Sequence, residues 1–265
     1  MSSEPSGASK VAEPARIGPL WRVAELLLSV AGLVLAAPVV AVCAVAIWAQ
    51  DRHNPFYLAP RIGLHGHQFT MFKLRTMTVA ASQSEVDSTA ADDPRLTAAG
   101  RFIRRFKLDE LPQLLNVVGG AMRMVGPRPQ VAREVAIYTD EERRLLTVPP
   151  GVTDLSSIVF SDLQEILAGA SDPNLAYSQL VRPWKARLGL LYVERRSSRL
   201  DLTIIWLTVV NAVARRRALA SIQRITSDLG ASDELVRVCG RREPLEPAPP
   251  PGARSVVRSR TQTPT

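Results

Sequence analysis

The chain has 265 residues, of which 46% are hydrophobic, and a formal net charge of +8. That length fits one domain of ordinary size with tails, or two small ones, and the hydrophobic share is enough for a packed core but does not suggest a polytopic membrane protein. The basic balance favours anionic partners such as phosphorylated substrates, acidic lipid or nucleic acid.

Residues 1–15 are read as a disordered tail, and 16–50 as a membrane segment. Leu26 to Ala49 carries no charge, and entering a bilayer takes about 20 apolar residues. Pro38 lies inside this run and should bend the helix by removing a backbone donor. Lys10, Arg16 and Arg22 precede the run, and Arg52, Arg61, Lys73 and Arg75 follow it. The positive-inside rule places basic flanks in the cytoplasm. A re-entrant helix that turns back at Pro38 satisfies both flanks at once.

Residues 51–220 are read as one cytosolic domain. Asn54 to Phe72 reads as short extended pieces around Gly63 and Gly66, a hairpin or a tight loop, with His53, His65 and His67 as loop residues rather than metal ligands. Val79 to Asp93 reads as a mobile polar loop. Helical spacing runs from Leu96 to Phe106, and a second helix starts near Leu108, where Pro112 is acceptable only in the first turn. Pro127 and Pro129 predict a stiff turn around Arg128. Asp172 to Arg199 reads as a long helix. Leu200 to Val213 is apolar and runs into Arg215, Arg216 and Arg217, which suits either an interfacial helix or a core helix with a basic end. Residues 221–265 are read as a basic, Pro-rich and mostly disordered tail. The fold class is therefore mainly α, an α+β chain with little strand.

Three stretches carry chemistry. The first runs from Arg61 through Lys73 and Arg75 to Met77, and the second from Asp93 to Arg104. The third is Leu108-Asp-Glu-Leu-Pro-Gln113, followed by Val125-Gly-Pro-Arg-Pro129. Adjacent carboxylates at Asp109 and Glu110, set among Arg104, Arg105, Lys107 and Arg128, suit a metal and a diphosphate. Spacing alone favours a plainer reading, in which both carboxylates cap a helix and pair with neighbouring arginines.

These stretches resemble the bacterial sugar transferase family, the monotopic polyprenyl-phosphate phosphoglycosyl transferases. The likeness runs from the membrane helix to about Val213 and includes Pro150 to Ile158 and Leu200 to Ile204. It implies transfer of a sugar-1-phosphate from a UDP-sugar to polyprenyl (undecaprenyl) phosphate in two steps, with UMP released. Asp109 would be the covalent nucleophile, and Asp109 with Glu110 would hold Mg²⁺. Arg61, Lys73, Arg75, Arg104 and Arg128 would bind phosphate or nucleotide. A re-entrant helix and a catalytic domain on the cytoplasmic face of the inner membrane follow from the same likeness. The family often has Gly-Asp-Met-Ser where this chain has Gly120-Ala121-Met122-Arg123, so a catalytically altered membrane scaffold is the alternative. Nucleic acid is set aside, because aromatics are 5% and no helix-turn-helix or aromatic-studded basic face is evident. Self-association is left open.

Overall fold

The computed structural model describes residues 18–79 and 93–259. The predicted tail 1–15 and nearly all of the predicted loop 79–93 lie outside them. The chain opens with α1 (Pro19–Asp51), then β1 (Phe56–Ile62) and β2 (Gln68–Leu74), which pair antiparallel with Tyr57 opposite Lys73. Next come α2 (Ala98–Arg105), a 3₁₀ turn (Leu108–Glu110) and α3 (Gln113–Val118). β3 (Arg123–Val125) leads to α4 (Ala132–Ala136) and α5 (Asp140–Arg143). β4 (Gly151–Thr153) returns parallel to β3. Helices α6 (Leu155–Val159), α7 (Leu163–Ile166), α8 (Pro173–Ala176) and α9 (Arg182–Arg195) follow. α10 (Ser198–Val213), α11 (Arg215–Asp228) and α12 (Asp233–Cys239) end the helical part. The mainly α class holds.

α1 is continuous through Pro38. The missing proline N–H removes one rung of the ladder, and the helix carries on around it, so the secondary structure is not broken there. Glu25, Ser29, Ala36, Cys43 and Ile47 are buried, a spacing near 3.5 residues that makes one stripe along the helix. The opposite face is bare: Leu27, Leu35 and Val42 are 67%, 77% and 70% exposed. Only 17% of the most apolar window is buried inside the protein. The stripe lies on the domain at both ends. Trp21 Nε1 donates to Asp201 Oδ2 (3.1 Å) near the start, and Arg75 donates to both oxygens of Asp51 (2.6 and 2.7 Å) at the end. Arg52 stacks on Trp48, 4.1 Å from the ring centroid, a cation–π contact.

The main core lies under α6, α9, α10, α11 and α12, with Leu155, Ile158, Leu188, Tyr192, Ile204 and Ile222 at 2% exposure or less. α10 buries one face in this core and leaves the other exposed. Leu200, Ile204 and Leu207 are buried, while Leu202, Trp206, Val209 and Val213 are exposed.

Two expectations fail. The long helix expected over 172–199 is instead α8, a π turn (Tyr177–Val181) and α9. Pro183 cannot donate to the turn before it, and a widened turn absorbs the lost bond. The stretch 221–259 is not an unstructured tail. Ile222, Leu235 and Cys239 are buried in the core, because these helices carry apolar faces. The Pro-rich segment beyond them is pinned by side chains from elsewhere. Thr139 Oγ1 donates to Pro251 O (2.6 Å), Gln179 Nε2 to Val257 O (2.8 Å) and Arg187 Nη2 to Pro249 O (2.9 Å).

Candidate active site

Four local devices build the site. The hairpin places Lys73 on β2 between the buried Met71 and Leu74. Thr97 caps α2 by accepting from Gly100 N. A Cβ on Gly100 would lie 1.9 Å from the Thr76 carbonyl oxygen, so only glycine lets α2 sit this close to β2. Arg104 leaves that helix to donate from Nε to Thr76 Oγ1 (2.9 Å). Lys107 then turns through the left-handed region (φ 54°) and delivers Asp109 and Glu110 on the 3₁₀ turn.

Glu110 is fully engaged. Arg128 Nη1 and Nη2 each donate to one of its oxygens, and Lys73 Nζ lies 3.5 Å from Oε1. Burial raises the Glu110 pKa, but Arg128 and Lys73 outweigh it and hold the carboxyl well below its usual range. Glu110 in turn holds the Arg128 guanidinium protonated. Asp109 is 6% exposed and, among the described residues, makes no hydrogen bond through its carboxylate. Burial pushes its pKa up, against the pull of Lys73, Arg104 and Arg128.

Asp109 faces a cleft of roughly 700 Å³, lined also by Lys73, Arg75, Arg95, Arg104 and Arg61, with Phe56 and Tyr57 among its apolar lining. The structure thus gathers Lys73, Arg104, Asp109, Glu110 and Arg128 around one point. It does not bring Arg75 there as an unengaged phosphate ligand. Its guanidinium is clamped on Asp51 and also reaches Asn54 O (2.9 Å). Arg61 lines the cleft, with Nη1 on its neighbour's carbonyl, Pro60 O (2.8 Å). Arg128 does not line the cleft; it backs Glu110 and opens instead on a small cavity of about 30 Å³ with Lys185 and Asp154. A space of that size holds water rather than a phosphate.

Sequence reasoning missed Arg95 and Lys185. Arg95 stood inside the second stretch, and its place two positions after Asp93 was the available signal; the structure pairs the two (2.6 Å). Lys185 carried none; burial and the nearby Arg128 lower its pKa to about 8.

Residues 18–215 match the bacterial sugar transferase family. The chain belongs to that family. It is 36% identical over 154 residues to the uncharacterized sugar transferase EpsL of Bacillus subtilis, covering 58% of this chain and 67% of that one. It is 36% identical over 154 residues to the undecaprenyl-phosphate galactose phosphotransferase of Salmonella typhimurium, over 51% of this chain and 32% of that protein. A Klebsiella pneumoniae protein, UDP-glucose:undecaprenyl-phosphate glucose-1-phosphate transferase, is 30% identical over 205 residues, 74% of this chain and 41% of that one. The chain therefore spans about a third to two thirds of these relatives. In this family member, Lys73, Arg104, Asp109, Glu110 and Arg128, drawn from the three stretches that carry the likeness, come together at one place.

Proposed function

We propose that the chain is a phosphoglycosyl transferase that moves a sugar-1-phosphate from a UDP-sugar to polyprenyl phosphate through a covalent phosphosugar on Asp109. The observation that carries the reading is a buried carboxylate without a hydrogen bond, facing a cationic cleft beside a neighbour already neutralised by Arg128 and Lys73. An Asp109 oxygen attacks the sugar-bearing phosphorus, the bond to the UMP phosphate breaks, and UMP leaves. A polyprenyl phosphate oxygen then attacks the same phosphorus and the bond to Asp109 breaks, restoring the carboxylate. A carboxylate nucleophile splits one exchange between two anions into two displacements. Lys73 and Arg104 offset the negative charge that gathers there.

The residues fit Mg²⁺ in the manner of sites completed by substrate phosphates, through one or two carboxylates. Asp109 has lone pairs to offer, whereas Glu110 has both oxygens on Arg128 and would join only by yielding that pair. Bound there, the ion would supply charge neutralisation at the transferring phosphoryl group.

The proposal also places both ends of α1 on the cytoplasmic side of the inner membrane. A helix of this length, laid straight, measures roughly 50 Å, yet its two ends touch the same domain. Gly18→Cys and His53→Cys are expected to react with an impermeant thiol reagent from the cytoplasmic side alone. Labelling of the two positions from opposite sides would sink the placement of both ends on one side.

The reaction is tested with purified protein, polyprenyl phosphate and a panel of UDP-sugars. UMP release that requires both substrates for sustained turnover is expected for at least one donor. Silence with every donor, in protein of native thermal stability, would favour the membrane-scaffold alternative.

A further inference from the structure

Glu25 lies on α1 one turn after Arg22 and just before the uncharged run from Leu26 to Ala49, and it is 4% exposed. Its carboxylate docks on β3. Oε2 accepts from Arg123 Nη1 (2.5 Å) and from Arg22 Nη1 (2.8 Å). Oε1 accepts from the backbone N–H of Met124 (2.6 Å). Arg22 is tied down further by donating from Nη2 to Val117 O (2.9 Å). Arg123 pairs with β4, its N–H donating to Pro150 O (2.8 Å), so the next N–H along the strand points to the open edge. An unpaired N–H there would carry a desolvation cost, and Glu25 satisfies it with a charged acceptor.

Only Val125 separates this contact from Gly126-Pro127-Arg128, and little slack lies between them. Gly126 N–H donates to Thr153 O (3.1 Å), and Gly151 N–H to Pro127 O (3.1 Å). A Cβ on Gly126 would meet Pro149 O at 2.5 Å, so the turn is pressed against its neighbour. Tyr192 OH sits 3.3 Å from Val125 O and 2.8 Å from Asp201 Oδ1. The other Asp201 oxygen takes Trp21 of α1. Two polar contacts from the start of the membrane helix therefore fix β3 just before the residue that holds Glu110.

We propose that Glu25 is a positioning residue. Through Arg123 and the Met124 amide, the membrane helix sets the register of β3 and so aims Arg128 at Glu110 beside Asp109. α1 is then part of the frame of the active site and not only its anchor. This rests on the reaction proposed above. It also gives a role to Arg123, which stands where the family often has Ser: on this chain its partner is 98 positions away.

Glu25→Gln keeps the size and one acceptor but loses the charge that holds two arginines. A misplacement of about 1 Å can cost on the order of 10²-fold in rate. The expected result is a kcat lower by about 10- to 100-fold with the donor KM within about threefold of wild type, since an interaction that aims the site is lost without removing a substrate contact. The variant should stay in carbonate-washed membranes. Amide exchange over 122–128 should quicken while that of α9 and α11 stays slow. A kcat within about twofold of wild type would overturn the proposal, as would a loss of activity that follows loss of membrane retention. If Glu25→Gln does not fold, Arg123→Met decides. It leaves Glu25 on Arg22 and Met124, and unchanged kcat there overturns the idea, while a fall of about 3- to 10-fold sustains it. If wild type releases no UMP with any donor, the reaction is wrong and exchange alone judges the latch. Unchanged protection over 122–128 in both variants then refutes it.

Discussion

Asp109→Asn is expected to abolish sustained turnover, by at least about 10⁴-fold, the scale on which removal of a covalent nucleophile is felt. Asn has nearly the same size, carries no charge and is a very poor nucleophile. Its side chain replaces a group that makes no hydrogen bond through its carboxylate among the described residues, so the fold should survive; removing a buried carboxylate at 6% exposure relieves desolvation. Wild type incubated with the correct UDP-sugar and no lipid acceptor should gain the mass of one phosphosugar, and Asp109→Asn should gain none. Glu110→Gln should slow turnover and weaken dependence on added Mg²⁺ while still forming the adduct. An adduct that persists in Asp109→Asn, or that maps to another residue, would overturn the assignment. A wild type that turns over without any adduct under rapid quench would favour direct displacement.

Arg128→Lys is the second large effect, a loss of roughly 10²-fold in kcat, the scale seen when one preorganised electrostatic partner is removed. The charge is kept. The planar fork is not, and it is the fork that takes both oxygens of Glu110. A lysine can answer one oxygen and leaves the other near Lys73, so Glu110 is freed to turn toward Asp109 and its repulsion raises the cost of ionising the nucleophile. Combined with Glu110→Gln, the two losses should be far from additive, because each variant removes the same pair. Equal and additive losses would show that Arg128 acts on substrate phosphate independently of Glu110. An Arg128→Lys enzyme with wild-type turnover would remove the residue from the site.

Much of the site was legible because its residues sit in short blocks. Leu108 to Gln113 keeps the two carboxylates together, and Pro127 and Pro129 mark the turn of Arg128. The hairpin that bears Lys73 announced itself through Gly63 and Gly66. What stayed hidden depends on contacts between distant segments. Arg75 looks like any other cation of its block until Asp51, 24 positions earlier, is seen to hold it. Arg123 reads as a departure until Glu25 is found beneath it. Residues 243–259 have the composition of a linker, and composition does not reveal that Gln179, Arg187 and Thr139 reach over to grip their carbonyls. The break near Tyr177 is of the same kind: Pro183 signals trouble for a helix but not that a π turn will resolve it.

The stripe of α1 has a practical consequence for anyone wishing to handle this enzyme without detergent. Trimming the chain to begin after Asp51 would look like the removal of an anchor. It would in fact strip Cys43 and Ile47 from a shared apolar cluster with Leu74 and Ile103 and release Arg75 from its clamp. Leu74 follows Lys73 directly on the same strand, so the cut would loosen the wall of the cleft itself. A water-soluble version is better sought by recolouring the outward face, at Leu27, Leu35 and Val42, than by shortening the chain.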